Sequence, residues 1–76
     1  MNFENLIDWR EWQKSPAGTR VFPTRFSMGW FMRSNEKRLV ETGAMLKNRN
    51  VWHVVEPTFS NTVFEILREQ TLAEVA

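Results

Sequence analysis

Cationic side chains cluster in the middle of this 76-residue chain, where they could bind an anionic partner. Residues 20–50 carry seven Lys or Arg and two Asp or Glu, which gives a net charge of +5. Residues 1–19 carry two Lys or Arg and three Asp or Glu, for a net charge of −1. Residues 51–76 carry one Lys or Arg and four Asp or Glu, for a net charge of −3. A basic block between acidic flanks fits a partner with one-sided negative charge. It fits equally well a solvated surface whose basic residues pair with the acidic ends.

The side-chain types in this block suit contacts to a nucleic acid. Arginine can hold guanine O6 and N7 with its planar fork, and hydroxyl groups or lysine can contact phosphates. Arg33 is the favoured base contact, whereas Lys37, Lys47 and Arg49 suit the phosphate backbone. The full set of candidate DNA-binding residues is Thr24, Arg25, Ser27, Gly29, Trp30, Arg33, Lys37, Arg38, Lys47, Asn48 and Arg49.

Enzyme motifs are missing from the sequence. It contains no GxxxxGK[ST] phosphate loop, no GxGxxG, and no cysteine that could be a nucleophile, a disulfide partner or a zinc ligand. The single histidine, His53, has no acidic residue at a relay or ligand spacing, and we expect it to be an exposed strand residue. We therefore predict a protein that is not an enzyme, with no catalytic residue, metal site, cofactor or small-molecule substrate.

Length and composition predict a single domain over residues 1–76, with its core at about 20–68. Four Trp, six Phe and four Met supply the large side chains that a small core needs. No apolar run approaches the ~20 residues of a bilayer span, and the N-terminus is unlike a signal peptide, so we expect a cytoplasmic protein without a membrane partner. Residues 70–76 could extend the last helix, fray, or form a dimer contact through Leu72 and Val75.

The N-terminal segment predicts a helix followed by a turn. Asn2 or Asn5 can cap a helix that runs to about Lys14, because apolar residues recur there at helical spacing. The pair Ser15-Pro16 ends this helix, residues 16–18 suit a turn, and residues 19–22 suit an extended piece. The large side chains that we expect in the core of this segment are those of Trp9 and Trp12.

Thr24, directly after Pro23, predicts the cap of a helix that runs to about Ser34 and has two faces. The face expected in the core carries Met28, Phe31, Met32 and Asn35. The opposite face carries Phe26, Gly29, Trp30 and Arg33 and is flanked by Arg25. Gly29 would let that face approach another surface closely. Core packing stays an alternative for Trp30, and for Phe26 it is the favoured one.

A second helical stretch begins at Asn35 and Glu36 and ends at Gly43. We expect two residues to face inward, Leu39 and Val40. We expect two others, Lys37 and Arg38, to be free to reach a phosphate backbone.

Residues 44–46 and 51–55 predict two strands around a turn at residues 47–50, because asparagine tolerates the positive φ of such turns. Alternation places Trp52 and Val54 on one face and His53 on the other. Pro57 then precedes the last helix. Its apolar stripe consists of Phe59, Val63, Ile66 and Leu67.

The run SMGWFMRSNEKRLVETGAMLKNRNVWHVVEPTFSNTVFEIL resembles the short excisionase-like, winged-helix DNA-binding proteins of phages, plasmids and integrated elements. The shared pattern is a Ser-x-x-Trp-hydrophobic-hydrophobic-Arg helix, a Leu-Val-Glu-x-Gly-Ala step, a basic wing, a Trp-containing strand and a Pro-x-x-Phe-like helix start. These elements fall at residues 27–33, 39–44, 47–50, 52 and 57–59. The chain departs from the pattern in its shorter Pro-to-Phe spacing, its Asn-rich wing, and its methionines at positions 28 and 32.

This resemblance implies an α+β fold, a small winged helix-turn-helix with about three to four helices and a two-stranded hairpin wing. It implies that the helix at residues 27–33 enters the major groove, while the wing at residues 47–50 lies along the backbone or minor groove. We expect sequence-specific binding of double-stranded DNA, by an excisionase-type architectural factor or a transcriptional repressor. Because the footprint is small, we expect a homodimer or several copies on repeated sites. The alternative is a protein-binding inhibitor or antirepressor that uses the face of Trp30 and Arg33.

Overall fold

Three antiparallel strands join the N-terminal segment to the hairpin. In the computed structural model, which describes residues 3–75, the strands are β1 (Leu6–Asp8), β2 (Met45–Asn48) and β3 (Val51–Val55). The central strand is β3, which pairs with β1 on one side and with β2 on the other. The predicted hairpin is present, but it belongs to a three-stranded sheet, so the predicted count of two strands is wrong.

Five α-helices pack with this sheet. They are α1 (Trp9–Lys14), α2 (Pro16–Val21), α3 (Arg25–Ser34), α4 (Glu36–Glu41) and α5 (Thr58–Val75). The α+β class is confirmed, but the helix count exceeds the predicted three to four. Helix α5 continues through Val75, as one of the alternatives for the tail predicts, and Ala76 lies outside the described residues. Within residues 3–75, no helix combines the length and the apolar character needed to cross a membrane.

The first part of the predicted N-terminal helix is a strand, and only its second part is helical. A 3-10 turn, Phe3–Asn5, and then β1 precede α1, which begins only after Asp8. The Asp8 carboxylate caps α1 by accepting a hydrogen bond from the Arg10 backbone N–H at 2.9 Å. Of the two predicted caps, Asn2 lies outside the described residues and Asn5 precedes the strand. A three-residue strand is too short to show an alternating pattern, and pairing with β3 fixes it instead.

Residues 16–21 form α2 instead of the predicted turn and extended piece. Ser15 ends α1 and also caps α2, where its Oγ accepts a hydrogen bond from Gly18 N at 3.0 Å. Pro16 occupies the first turn of α2, where a missing N–H costs nothing. The α1–α2 corner is tight, because a Cβ at Gly18 would lie 2.0 Å from the carbonyl oxygen of Trp12 and 2.8 Å from Gln13 Cα.

An aromatic cluster forms the centre of the core. The Trp12 ring packs edge-on against Phe59, with centroids 4.9 Å apart, and lies beside Phe22, which in turn packs on Phe31. Trp12 Nε1 donates a hydrogen bond to Glu56 at 2.9 Å, so the buried indole keeps a polar partner. The predicted core position of Trp12 is confirmed, and Trp9 is partly buried against the same cluster.

The start of α3 agrees with the sequence prediction. Thr24 Oγ1 accepts a hydrogen bond from Ser27 N at 3.0 Å, and Ser27 Oγ accepts one from Thr24 N at 3.3 Å, which forms a capping box. The predicted inner face is buried at Met28, Phe31 and Met32. This face fixes the rotation of α3, so its opposite face must point outward.

Helix α4 and the hairpin differ from prediction in detail. Gly43, at φ 79°, ends α4 as expected, but Val40 is 45% exposed instead of facing the core. The hairpin turn is shorter than predicted, because β2 includes Lys47 and Asn48. Only residues 49 and 50 form the turn.

The last helix is anchored by Phe59, Val63 and Ile66, which are buried. Leu67, the fourth residue of the predicted stripe, is 38% exposed, because the helix runs past the core at this point. His53 is half-buried instead of exposed, since it lies on the central strand between Asp8 and Leu46.

Candidate nucleic-acid interface

Helix α3 presents its aromatic and cationic face to solvent. Phe26 is 83% exposed and Trp30 is 64% exposed, so the core alternative is wrong for both residues. Together with Gly29 and Arg33, they line a notch of about 140 Å³ on the outer side of the helix. A helix side that buries neither of its aromatic rings offers a large contact area to a partner.

A cleft of about 180 Å³ links α3 to the hairpin. Gly29 and Arg33 of α3 line it together with Trp52 of β3, and Trp9, Met32 and Glu36 complete its walls. Lys47 is the cross-strand neighbour of Trp52, and its Nζ lies 4.9 Å from the centroid of the indole ring in a cation–π contact. Trp52 therefore lines a cleft with Arg33 of the helix and also contacts Lys47 of the hairpin.

We call this region the α3–hairpin surface and define it by Phe26, Gly29, Trp30, Arg33, Lys47 and Trp52. It joins two groups of predicted site residues that are far apart in the sequence. Arg49 stands beyond it at the hairpin tip, and Arg25 lies at its α1 side, where it lines a shallow depression with Asp8 and Arg10.

In the described part of the chain, the cations on and beside this surface have no carboxylate partner. Among residues 3–75, the ion pairs involve Arg10 with Asp8, Lys37 with Glu41, Arg38 with Glu69, and Arg68 with Glu65. None of these pairs includes Arg25, Arg33, Lys47 or Arg49. The alternative drawn from charge alone, in which acidic ends neutralise the basic block, therefore fails at these four positions.

Helix α4 is the part of the basic block where that alternative holds. Arg38 donates two hydrogen bonds to the Glu69 carboxylate, at 2.7 and 2.6 Å, so the prediction that Arg38 is free is wrong. These bonds lower the pKa of Glu69 below its usual value. Lys37 lies 4.0 Å from Glu41 in a weaker, exposed pair. Arg38 belongs to the α4–α5 side of the molecule, because α5 extends far enough to bring Glu69 to it, whereas the partner of Lys37 lies on α4 itself.

Two predicted contact residues have a structural role at the start of α3. Ser27 Oγ donates its single proton to the Thr24 carbonyl oxygen at 2.8 Å, and Thr24 Oγ1 accepts from Ser27 N. The Ser27 hydroxyl therefore has no proton left for a phosphate, whereas the Thr24 hydroxyl proton is unused. These residues orient α3, and with it Arg33, through the capping box.

Three residues of the region were absent from the predicted site. For Phe26 the sequence predicts the correct helix face but favours core packing. For Trp9 it predicts the core, and for Trp52 it predicts no contact with a partner. For Trp52 the signal is the hairpin register, because a two-residue turn at positions 49 and 50 places residue 52 opposite Lys47.

The arrangement can contact a negatively charged, grooved partner along two elements at once. Arg33 offers a planar donor fork, Lys47 a point charge, and Phe26 with Trp30 an apolar pair. Glu36 adds one acceptor to the cleft wall. No protein-family model matches the chain, and no curated protein or solved structure matches it either.

Proposed function

We propose that this protein binds double-stranded DNA through the α3–hairpin surface, as a small winged helix-turn-helix protein. The observation that carries the proposal is the position of Arg33 and Lys47. They come from different elements: Arg33 lines the same cleft as Trp52, and Lys47 lies over the Trp52 ring. Both lack a carboxylate partner within residues 3–75. Unpaired cations on one face are what phosphate binding requires.

In this proposal α3 lies in the major groove and the hairpin lies on the flanking backbone. Arg33 would bind guanine O6 and N7, and Lys47 and Arg49 would contact phosphates. Glu36, the one carboxylate in the cleft, would face a cytosine amino group, which is a hydrogen-bond donor, and not the backbone. The acidic α5 would stay on the far side of the complex.

The biological role that fits such a module is that of an excisionase-type architectural factor or a transcriptional repressor in the cytoplasm of a host cell. A domain of this size covers few base pairs. We therefore propose that it acts as a homodimer or as several copies on repeated sites.

A second candidate function is protein binding, by an inhibitor or antirepressor module. The exposure of Trp30 beside Arg33 favours it, since tryptophan and arginine are enriched at binding hot spots. It does not explain the unpaired cations of the hairpin, which a protein-binding face on α3 would not need.

Fluorescence anisotropy with a labelled duplex of random sequence tests the proposal. The cations of the proposed interface, Arg25, Arg33, Lys47 and Arg49, allow two to four phosphate contacts, which predict an affinity loss of about 10 to 10² between about 50 and 200 mM salt. Arg33→Ala should weaken binding by about tenfold, the effect of one lost arginine contact. Arg38→Ala is the matched control, because it removes the same side chain from the α4–α5 side and should leave binding unchanged. A folded protein that shows no binding at about 50 mM salt would contradict the proposal and favour the protein-binding alternative.

A further inference from the structure

The notch on α3 has a composition that suits one particular feature of DNA. It is lined by Phe26, Trp30, Arg33 and Gly29, so it combines two aromatic rings and a cation with a residue that has no side chain. The space beside Gly29 is open, because a Cβ there would meet only Trp9 Cη2, at 3.9 Å. The notch is thus mostly apolar, open to solvent, and bordered by a cation that has no carboxylate partner within residues 3–75.

We propose that this notch accepts the C5 methyl group of a thymine in the major groove, next to a guanine bound by Arg33. The inference rests on the proposed DNA binding and assigns the bases that α3 recognises. Of the groups that base pairs present in the major groove, the thymine methyl is the apolar one. Phosphates are excluded from the notch, since two aromatic walls cannot replace their hydration.

Helix geometry limits the distance between the two recognised bases. Phe26, Trp30 and Arg33 follow one another at spacings of four and three residues and share one face of α3. At 1.5 Å per residue, the seven positions from Phe26 to Arg33 span about 10 Å. Base pairs stack about 3.4 Å apart, so the thymine and the guanine should lie within about three base-pair steps.

A protein ligand is the competing occupant of the same notch, because exposed aromatic rings and arginine also form protein-binding hot spots. The charge around the notch favours DNA. Arg25 lies at one side of the surface and Lys47 at the other, and neither has an ion-pair partner among residues 3–75. An anionic duplex satisfies both cations at once, together with Arg33.

The test replaces thymine by uracil, which differs only in the missing methyl group. A pool of random duplexes is first enriched for binding to the full chain at about 50 mM salt. The most enriched duplex is then synthesised with uracil at one thymine position at a time, and affinities are measured by fluorescence anisotropy. We expect one position, within about three base pairs of a guanine, where uracil weakens wild-type binding by about fourfold, the effect of one buried methyl group.

Variants assign that effect to the notch. In Phe26→Ala/Trp30→Ala, thymine and uracil duplexes should bind equally. Phe64→Ala removes another exposed aromatic ring, from α5, and should keep the fourfold difference. Because Phe26 and Trp30 are exposed, the double variant should keep the wild-type circular dichroism spectrum and melting temperature.

Three results would overturn the inference, and they can be told apart. Equal binding of thymine and uracil duplexes by the wild type, with a steep salt dependence, would remove the thymine contact and leave DNA binding in place. A folded wild type that neither enriches nor binds any duplex would overturn both proposals. A methyl dependence that persists in the double variant would also refute the notch as its origin.

Discussion

The α1–α2 corner and the α3–hairpin surface each combine a helix glycine with tryptophan, yet their surroundings are opposite. At the corner, Gly18 is buried and a Cβ there would collide with the backbone of α1. The corner tryptophan, Trp12, is 6% exposed and hydrogen-bonded to Glu56. On the α3–hairpin surface a Cβ at Gly29 would make one ordinary contact, and Trp30 is 64% exposed.

This difference in burial and contacts distinguishes residues that the fold needs from residues that it does not need. The buried residues of the corner, Trp12, Gln13 and Gly18, are used for packing or hydrogen bonding within the chain. On the α3–hairpin surface, two aromatic rings are exposed, a helix glycine has open space beside it, and two cations have no carboxylate partner within residues 3–75. Residues of these types cost stability or solubility when they have no partner. Their concentration on one surface is the reason to place the function there.

The largest expected contrast comes from the same substitution at the two glycines. Gly18→Ala should destabilise the protein by about 3 kcal/mol or more, because backbone atoms must move to admit the new methyl group. Gly29→Ala should raise stability by about 0.5 to 1 kcal/mol, since alanine favours a helix more than glycine does. Urea unfolding of both variants measures the difference.

Gly29→Ala should weaken DNA binding although it stabilises the fold, because Gly29 lines both the notch and the cleft, and the added methyl group would occupy open space on the α3–hairpin surface. A Gly29→Ala protein that is more stable and binds DNA as well as the wild type would show that no partner approaches this point closely.

The next contrast concerns cations on the two sides of the molecule. Lys47→Ala/Arg49→Ala should weaken binding to all duplexes about equally and reduce the slope of log affinity against log salt by about two. Lys37→Ala/Arg38→Ala removes the same total charge from α4 and serves as the control. If the slope of log affinity against log salt fell equally in both double variants, the DNA would contact more of the protein than α3 and the hairpin.

A smaller effect should separate function from stability at one residue of the hairpin turn. Arg49 has φ 52°, in the left-handed region that asparagine and glycine occupy more easily than arginine. Arg49→Asn should therefore raise the melting temperature, by about 2 to 4 °C for a gain of about 0.5 kcal/mol. It should also weaken DNA binding, because a cation is lost. Arg49→Lys, which keeps the charge and the strained φ, should change neither property much.

How far the sequence predicts these regions depends on whether the signal is local. Thr24 after Pro23 predicts the start of α3, and the spacing of Met28, Phe31 and Met32 predicts which face is buried. Gly43 predicts the end of α4 in the same way. These signals lie within a few residues of the structure that they determine.

Features that depend on distant partners were not predicted. The strand at Leu6–Asp8 exists because β3 pairs with it, and its three residues also fit an amphipathic helix. Nothing in the sequence specifies that Glu69, on another helix, reaches Arg38, so the prediction of a free Arg38 is wrong. Ser15-Pro16 is a different case, because this local signal has two meanings: it ends one helix and also starts the next.

The smallest expected effect tests the α4–α5 side through its acid titration. Arg38 lowers the pKa of Glu69, so the ionised carboxylate stabilises the folded state above its usual pKa, and this contribution is lost as the pH falls through the lowered pKa. Arg38→Ala should therefore lower the melting temperature slightly at neutral pH, with a difference that disappears in acid. Arg10 lowers the pKa of Asp8 by hydrogen bonding, but Asp8 titrates alike in the wild type and in Arg38→Ala. Its contribution therefore cancels in the difference between their melting temperatures. A difference that is constant with pH would mean that Arg38 acts by packing and not through Glu69.

The most direct test of DNA binding by the α3–hairpin surface is a titration of the ¹⁵N-labelled protein with a short duplex, followed by the indole N–H signals of the four tryptophans. Trp30 and Trp52 lie on the proposed surface, whereas the Trp12 indole is bonded to Glu56 in the core and serves as an internal control. We predict that the Trp30 and Trp52 signals shift with added DNA while the Trp12 signal does not move. Binding that leaves the Trp30 and Trp52 signals unchanged would contradict the account.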